Sequence, residues 1–287
     1  MEKLKPKLFP VMKSYTKEQF VKDVIAGIIV AIIALPLSIA LALASGVTPE
    51  KGIYTAITAG FVISFLGGSR VQIAGPTAAF ATIVAGIVAK NGMDGLIIAT
   101  LLAGVILILM GFLRLGNLIK FIPYTITTGF TSGIAVTIFI GQIKDFLGLT
   151  IVSEEPLIET MDKLKAVFQF ISTTNVQALL VGVISLLILI LWQYLPGFCK
   201  KIPPSLIAVL VGSAMVALLN MNVNTIGDLY EISNKLPSIS LPAFSLKTVQ
   251  NVLPDAFTIA ILAAIESLLS CVVADSMVNS RHRSNME

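Results

Sequence analysis

Long apolar runs separated by short polar segments organise the chain, and most of the runs approach the length of a bilayer-crossing helix. The first, Val24 to Val47, contains Pro36 and Ser38 in Ala-Leu-Pro-Leu-Ser-Ile-Ala, which predicts a kinked or locally opened helix. After Gly46-Val-Thr-Pro-Glu-Lys comes a second run, about 53–66, short and rich in Gly, Ala and Thr. Small residues let helices approach closely, so this run is expected inside the bundle. Asn91-Gly-Met-Asp-Gly reads as a turn between a third element and a plain aliphatic fourth span, about 96–113, expected to face lipid or to pack as scaffold. Pro123 opens a fifth span to about Ile140, whose Thr125, Thr127, Thr128, Thr131 and Ser132 either bond back to the backbone or form a polar interior face. Spans of about 176–195, ending at the interfacial anchors Trp192 and Tyr194, about 203–219, starting from Pro203-Pro204, and about 252–276 complete the set.

The pattern changes in three places. Residues 1–22 are polar and lysine-rich, with Thr16 to Asp23 predicted as a short amphipathic helix on the membrane surface. Over 154–171, Leu157, Met161, Leu164, Val167, Phe168 and Ile171 recur at helical spacing among charges, the pattern of an interfacial amphipathic helix. Residues 220–248 read as a polar loop with Pro237 and Pro242.

Composition agrees: 56% of residues are hydrophobic and 13% charged, which excludes an ordinary soluble domain and describes a polytopic integral membrane protein. The net charge of +4 is explained by topology rather than by nucleic acid, because the basic residues lie in short segments beside the spans. With the N-terminus cytoplasmic and residues 70–89 counted as one crossing, thirteen Lys and Arg fall inside and seven outside. Omitting that crossing moves Lys200, Lys201, Arg281 and Arg283 outside, so the positive-inside rule favours the crossing. The lysine-rich start lacks a cleavage site and reads as a retained cytoplasmic segment. Cys199 and Cys271 read as unremarkable thiols, and with His282 the sole histidine no His-based metal site is available. No nucleophile-base-orienter arrangement or phosphate loop is present, so neither an enzyme nor a cofactor is expected.

Two features carry candidate chemistry. Gly67 to Ala81 holds three glycines, a proline, an arginine and a glutamine among apolar runs. Pro76 lacks an N–H and disfavours helix at Gly75, so a helix starts at Pro76 or Thr77 and extends to about Ala89. At membrane depth its amides and positive dipole end would bind an anion, and broken helices of this kind mark substrate sites in secondary transporters. The bland alternative is a polar cytoplasmic loop, Gly67 to Gln72, followed by an ordinary helix start. The second feature is Glu266, midway along the eighth span, with Ser270 one turn on. An intramembrane carboxylate is expensive and is by default a functional site. The pair either holds sodium through hard oxygens or lets Glu266 carry a proton; a structural glutamate is the third option. Asp275, nearer the end of the span, reads as an interface residue.

The stretches Ala-Leu-Pro-Leu-Ser-Ile-Ala, Ala-Ser-Gly-Val-Thr-Pro-Glu-Lys-Gly, Gly-Gly-Ser-Arg-Val-Gln-Ile-Ala-Gly-Pro-Thr-Ala-Ala-Phe and Glu-Ser-Leu-Leu-Ser-Cys-Val-Val-Ala-Asp occur in the order found in SulP inorganic anion permeases, which the chain resembles over nearly its whole length. The resemblance implies an all-α membrane fold of about fourteen segments in two inverted repeats of seven, of which this chain carries about eight, with a broken third segment. It implies an anion held between the helix N-termini of the third and tenth segments, a moving gate and core, a likeness to homodimers, and a cytoplasmic STAS domain beyond residue 287. Carried over, Gly75, Pro76, Thr77 and Ala78 match the anion cradle, while Glu266 and Ser270 stand where sodium-coupled bicarbonate members have Asp and Thr. Glutamate favours protons without excluding sodium. Leu37 and Leu41 stand where many animal and plant members have a glutamine and an aromatic, leaving an apolar wall. An offset of 232 relates Asp23 to Asp255, Ala31 to Ala263, Ile33 to Ile265, Leu37 to Leu269 and Ser38 to Ser270, a faint trace of the inverted repeat.

The leading expectation is the N-terminal part of a secondary transporter for sulfate or bicarbonate in a cell inner (plasma) membrane, working by alternating access with protons or sodium. A passive anion channel and a non-transporting membrane scaffold are the alternatives. The expected division is a cytoplasmic segment 1–22, a first repeat 23–219, an extracytoplasmic loop 220–248 and the start of a second repeat 249–287.

Overall fold

The computed structural model describes residues 5–117, 124–153, 157, 159–196, 202–230 and 242–287. Of the features singled out above, Pro123, the Thr127 side chain, Cys199, Lys200, Lys201 and Pro237 lie outside the described residues. All regular structure within the described residues is helical. Four helices there are long and apolar enough to cross a membrane: Lys17–Ala44, Ala78–Phe112, Val176–Tyr194 with its final 3-10 turn, and Leu246–Val278.

A short helix α1, Leu8–Met12, precedes α2, Lys17–Ala44. Thr16 caps α2, its extended backbone letting the hydroxyl accept the Gln19 N–H at 3.2 Å. The surface helix expected over Thr16 to Asp23 is therefore not a separate element. No glycine or proline separates it from the span, so one helix runs through both and tolerates Pro36 in its interior. Next comes α3, Pro49–Leu66, with Pro49 in its first turn. The apolar run Ala78–Phe112, α4, is two helices joined at Gly92, whose φ of +67° and ψ of −172° leave helical space. The turn read from Asn91-Gly-Met-Asp-Gly is thus found where its glycine stands. The remaining helices are α5, Tyr124–Leu147; α6, Thr160–Gln169; α7, Val176–Leu191; α8, Pro204–Leu218; α9, Ile226–Leu229; and α10, Leu246–Val278.

Two compact units result, one of residues 1–23, 38–131 and 234–287, the other of 24–37 and 132–233. The first is built on α4 against α10. Ala99 and Ala103 lie one turn apart on α4, Ala256 and Ala260 one turn apart on α10, and all four are buried together with Ile87, Ile98, Val252 and Ile259. A Cβ added at Gly95, one turn before Ala99, would touch Val252 at 3.7 Å, so the small-residue stripe continues there. Small residues at this spacing bring helix backbones together where lipid removes any hydrophobic advantage of association. The other side of α4 exposes Leu101, Val105 and Ile108, as a lipid-facing surface would. The fourth span is therefore scaffold on one face and apolar surface on the other. In the same unit α3 packs on the end of α2: a Cβ at Gly52 would lie 2.2 Å from the Ser38 carbonyl oxygen. Beyond this contact α3 exposes Ile57, Phe61, Val62 and Phe65, so the interior place expected for the second span is not found among the described residues.

In the second unit Asn175 caps α7, accepting from Gln177 and Ala178 N–H at 2.9 and 3.2 Å, and its amide donates to the Asn222 carbonyl at 2.7 Å. Gly212 on α8 faces Val181 and Ser185 of α7 at van der Waals distance. Helix α6 buries Ala166 and Val167 while Met161 and Phe168 are 61% and 68% exposed.

Candidate functional site

Between Leu66 and Ala78 the chain leaves helical geometry for eleven residues, 67–77, forming an arm that lies wholly in the first unit. The break predicted from its glycines and Pro76 is present, and no helix runs through 71–77. The arm rests on α3 at two small residues one turn apart: a Cβ at Gly60 would stand 3.5 Å from the Ala74 carbonyl oxygen, and one at Gly75 would stand 3.9 Å from Ala56 Cα. Both distances are ordinary van der Waals contact, so the arm lies against the helix at these positions.

Thr77 ends the arm in extended conformation, φ −124° and ψ 150°, as the N-cap residue of α4. Its hydroxyl does not cap the helix. It donates instead to Glu266 Oε2 on α10, at 3.1 Å. The first turn of α4 is thus without a side-chain cap from Thr77, and its positive end begins at the residue that bonds a half-buried carboxylate. Of Gly75, Pro76, Thr77 and Ala78, the structure thus joins Thr77 to Glu266, while Gly75 lies against Ala56 of α3. Ser270, one turn on from Glu266, is exposed, and the Glu266 oxygen that bonds a hydroxyl bonds that of Thr77. Leu41 is half-buried in the first unit; Leu37, 54% exposed, closes the 24–37 segment of the second.

A second set of contacts was not legible from the residues alone. Gln72, in the middle of the arm, donates from Nε2 to the Ser267 carbonyl at 3.3 Å and accepts at Oε1 from the Cys271 thiol at 2.7 Å. Cys271, read from sequence as unremarkable, is fully buried at this junction. At the start of the arm, Gly68 accepts from Arg283 N–H at 3.0 Å and donates to Glu287 Oε2 at 2.7 Å, and Gly67 accepts from Lys7 N–H at 3.1 Å. A Cβ at Gly68 would fall 2.4 Å from the Arg283 carbonyl oxygen, so only glycine fits. Asp275 orders the turn that delivers Arg283: its Oδ2 accepts the His282 N–H and faces His282 Nδ1, both at 2.7 Å, after Asn279 ends α10 in the left-handed region.

A helix break whose end bonds a carboxylate on an apolar helix, in a chain with helices long and apolar enough to cross a membrane, is the architecture of a polytopic membrane protein with a discontinuous helix. The sulfate permease family model matches residues 20–287, and the chain belongs to that family. It is 42% identical over 277 residues to YvdB of Bacillus subtilis, which carries a provisional sulfate-transporter name, covering 96% of this chain and 51% of that one. It is 32% identical to the bicarbonate transporter BicA of Picosynechococcus, covering 92% and 48%. The transmembrane domain of a cyanobacterial BicA superposes with a TM-score of 0.76 at 29% identity, covering 91% of this chain and 66% of that one. Murine Slc26a9, an anion transporter in the inward-facing state, shares the fold with a TM-score of 0.81 at 21% identity, covering 99% and 51%. The inverted-repeat transporter fold expected from the motifs is therefore shown, and these relatives are transporters rather than enzymes. The chain spans about half the length of the curated relatives it matches.

Proposed function

We propose that the protein moves a small inorganic anion, sulfate or bicarbonate, across a membrane by alternating access, with Glu266 coupling the movement to protons or sodium. One observation carries this reading: the 3.1 Å bond from Thr77, at the start of a broken membrane helix, to Glu266. The anion sits before Gly75, Pro76, Thr77 and Ala78, held by amide donors and the helix dipole. The coupling cation sits on the Glu266 carboxylate with hydroxyl oxygens of Thr77 or Ser270 beside it. Because the two sites share Thr77, each ion alters the other's affinity, as linkage requires of coupled sites. Leu41, in the same unit as the cradle, supplies an apolar wall.

In this reading the N-terminus is cytoplasmic and the protein sits in the inner (plasma) membrane as a homodimer, with 23–219 as first repeat, 220–248 as extracytoplasmic loop and 249–287 opening the second. The exposed Met161 and Phe168 of α6 rest on the lipid surface, while burial lowers the pKa of Lys163 on the same helix.

Uptake of labelled sulfate and of bicarbonate into vesicles containing the protein tests the proposal. A proton or sodium gradient is expected to drive accumulation, and Glu266→Gln to abolish it. Accumulation that survives Glu266→Gln with no dependence on pH or sodium removes the coupling role. Flux that never exceeds equilibrium identifies a passive channel, and no flux at all a scaffold.

A further inference from the structure

Gln72 lies five positions before Thr77 and takes no part in the cradle itself. Both ends of its side-chain amide are nevertheless engaged, and both by α10. The Ser267 carbonyl belongs to the residue next to Glu266, so the arm meets the same turn of α10 twice, through Thr77 and through Gln72. The Cys271 thiol, one turn further, closes the clamp and also neighbours the Ser69 and Glu287 side chains. A thiol is a weak donor, so what this contact supplies is mainly direction. In a low-dielectric setting an amide that loses its partners is costly, which makes the clamped position strongly preferred.

We propose that Gln72 is a positioning residue for the anion cradle: its amide, held between the Ser267 carbonyl and the Cys271 thiol, sets the distance of Thr77 and the first amides of α4 from Glu266, and with it the affinity for the transported anion. The proposal rests on the transport reading above. It adds a residue that touches neither ion. Displacing the arm by a fraction of an ångström moves the amide donors off the anion, so KM changes while turnover, set by the moving parts, does not.

The test is sulfate and bicarbonate uptake by vesicle-reconstituted protein, with Cys271 the sole thiol of these residues after Cys199→Ser. Gln72→Leu is expected to raise KM about tenfold, the worth of one directed hydrogen bond, with kcat within about twofold. Cys271→Val changes KM in the same direction, and the double variant is no worse than Gln72→Leu, since the two share one contact. Cys271→Ser keeps a donor and stays near wild type. An unchanged KM in Gln72→Leu, effects that multiply in the double variant, or Cys271→Ser as damaging as Cys271→Val each overturns the clamp. Where Gln72→Leu does not reach the membrane, Gln72→Asn takes its place, and alkylation of Cys271 by a small maleimide gives a readout independent of transport. Alkylation is expected to quicken several-fold without the clamp, and an unchanged rate overturns it. If the wild-type protein carries no anion at all, the transport reading falls while the alkylation result still decides whether Gln72 holds the arm.

Discussion

The two halves of α10 are gripped by opposite means. Its first half offers Val252, Ala256, Ile259 and Ala260 to α4 in an apolar seam, where Ala256 and Ala260 are buried together with Ala99 and Ala103. Its second half offers Glu266, Ser267 and Cys271 to the arm, where nearly every contact is a hydrogen bond to a named partner. The apolar seam depends on shape: any residue small enough keeps the backbones close. The polar seam depends on identity, because each contact there joins a particular donor to a particular acceptor rather than filling space. The first seam fixes where α10 stands. The second fixes the geometry of the site.

The largest effect is therefore expected in the polar seam. Thr77→Val removes the hydroxyl that meets Glu266 and is nearly the same size, so the protein should assemble while gradient-driven uptake falls to near background. Thr77→Ser should restore most of it. If Thr77→Val transports normally, the contact is structural and the contrast between the seams collapses.

What could be read from the residues follows the same division. The break is written in Gly67, Gly68, Gly75 and Pro76, residues whose backbone preferences act locally, and Glu266 announces itself as a carboxylate in an apolar run. Gly92 likewise marked the turn that splits α4. Gln72 stood out as a polar residue in the break, but its pairing with Cys271 was not readable: the partners are 199 positions apart, and only folding brings them together. The small residues of α4 were visible as an aliphatic run but not as a seam, since nothing in Ala99 and Ala103 says which helix they meet. Thr16 to Asp23 was misread for a local reason. Its amphipathic pattern is real, but with no breaker after Asp23 the helix continues into the span.

A smaller, purely structural effect is expected from the apolar seam. Ala256 is 0% exposed, so Ala256→Leu forces side chains against α4 and should cost about 1–3 kcal/mol, read as a lowered thermal midpoint in detergent. The molecules that remain folded should transport with nearly unchanged KM. A raised KM at an unchanged midpoint would show that shape in this seam also tunes the site.

Gly68→Ala falls between the two kinds of seam. The new methyl group would lie 2.4 Å from the Arg283 carbonyl oxygen, so the start of the arm must move away from the turn that follows α10. A modest loss of thermal stability and a KM rise smaller than that of Gln72→Leu are expected, because the Gln72 clamp still holds the arm nearer the cradle. A KM rise larger than that of Gln72→Leu would transfer control of the arm from Gln72 to Gly68.

The smallest effect concerns a polar contact of the same kind placed in water. Asp228 Oδ2 accepts from the Thr225 N–H at 2.8 Å and from the Thr225 hydroxyl at 2.6 Å, capping the short helix α9. These bonds favour the charged carboxylate and hold its pKa below the ordinary value. For a depressed carboxylate, the cap is at full strength above the unfolded pKa and is lost as pH falls through the folded one. Exchange of the Thr225 amide proton should therefore be slowed at neutral pH and lose that protection only in acid, and Asp228→Asn should weaken it at neutral pH without touching transport. Thr225 and Asp228 are exposed, so solvent can replace each lost bond there, whereas Glu266 is half-buried. Should Asp228→Asn impair uptake as severely as Thr77→Val, then it is not the surrounding medium that makes the contacts of α10 decisive.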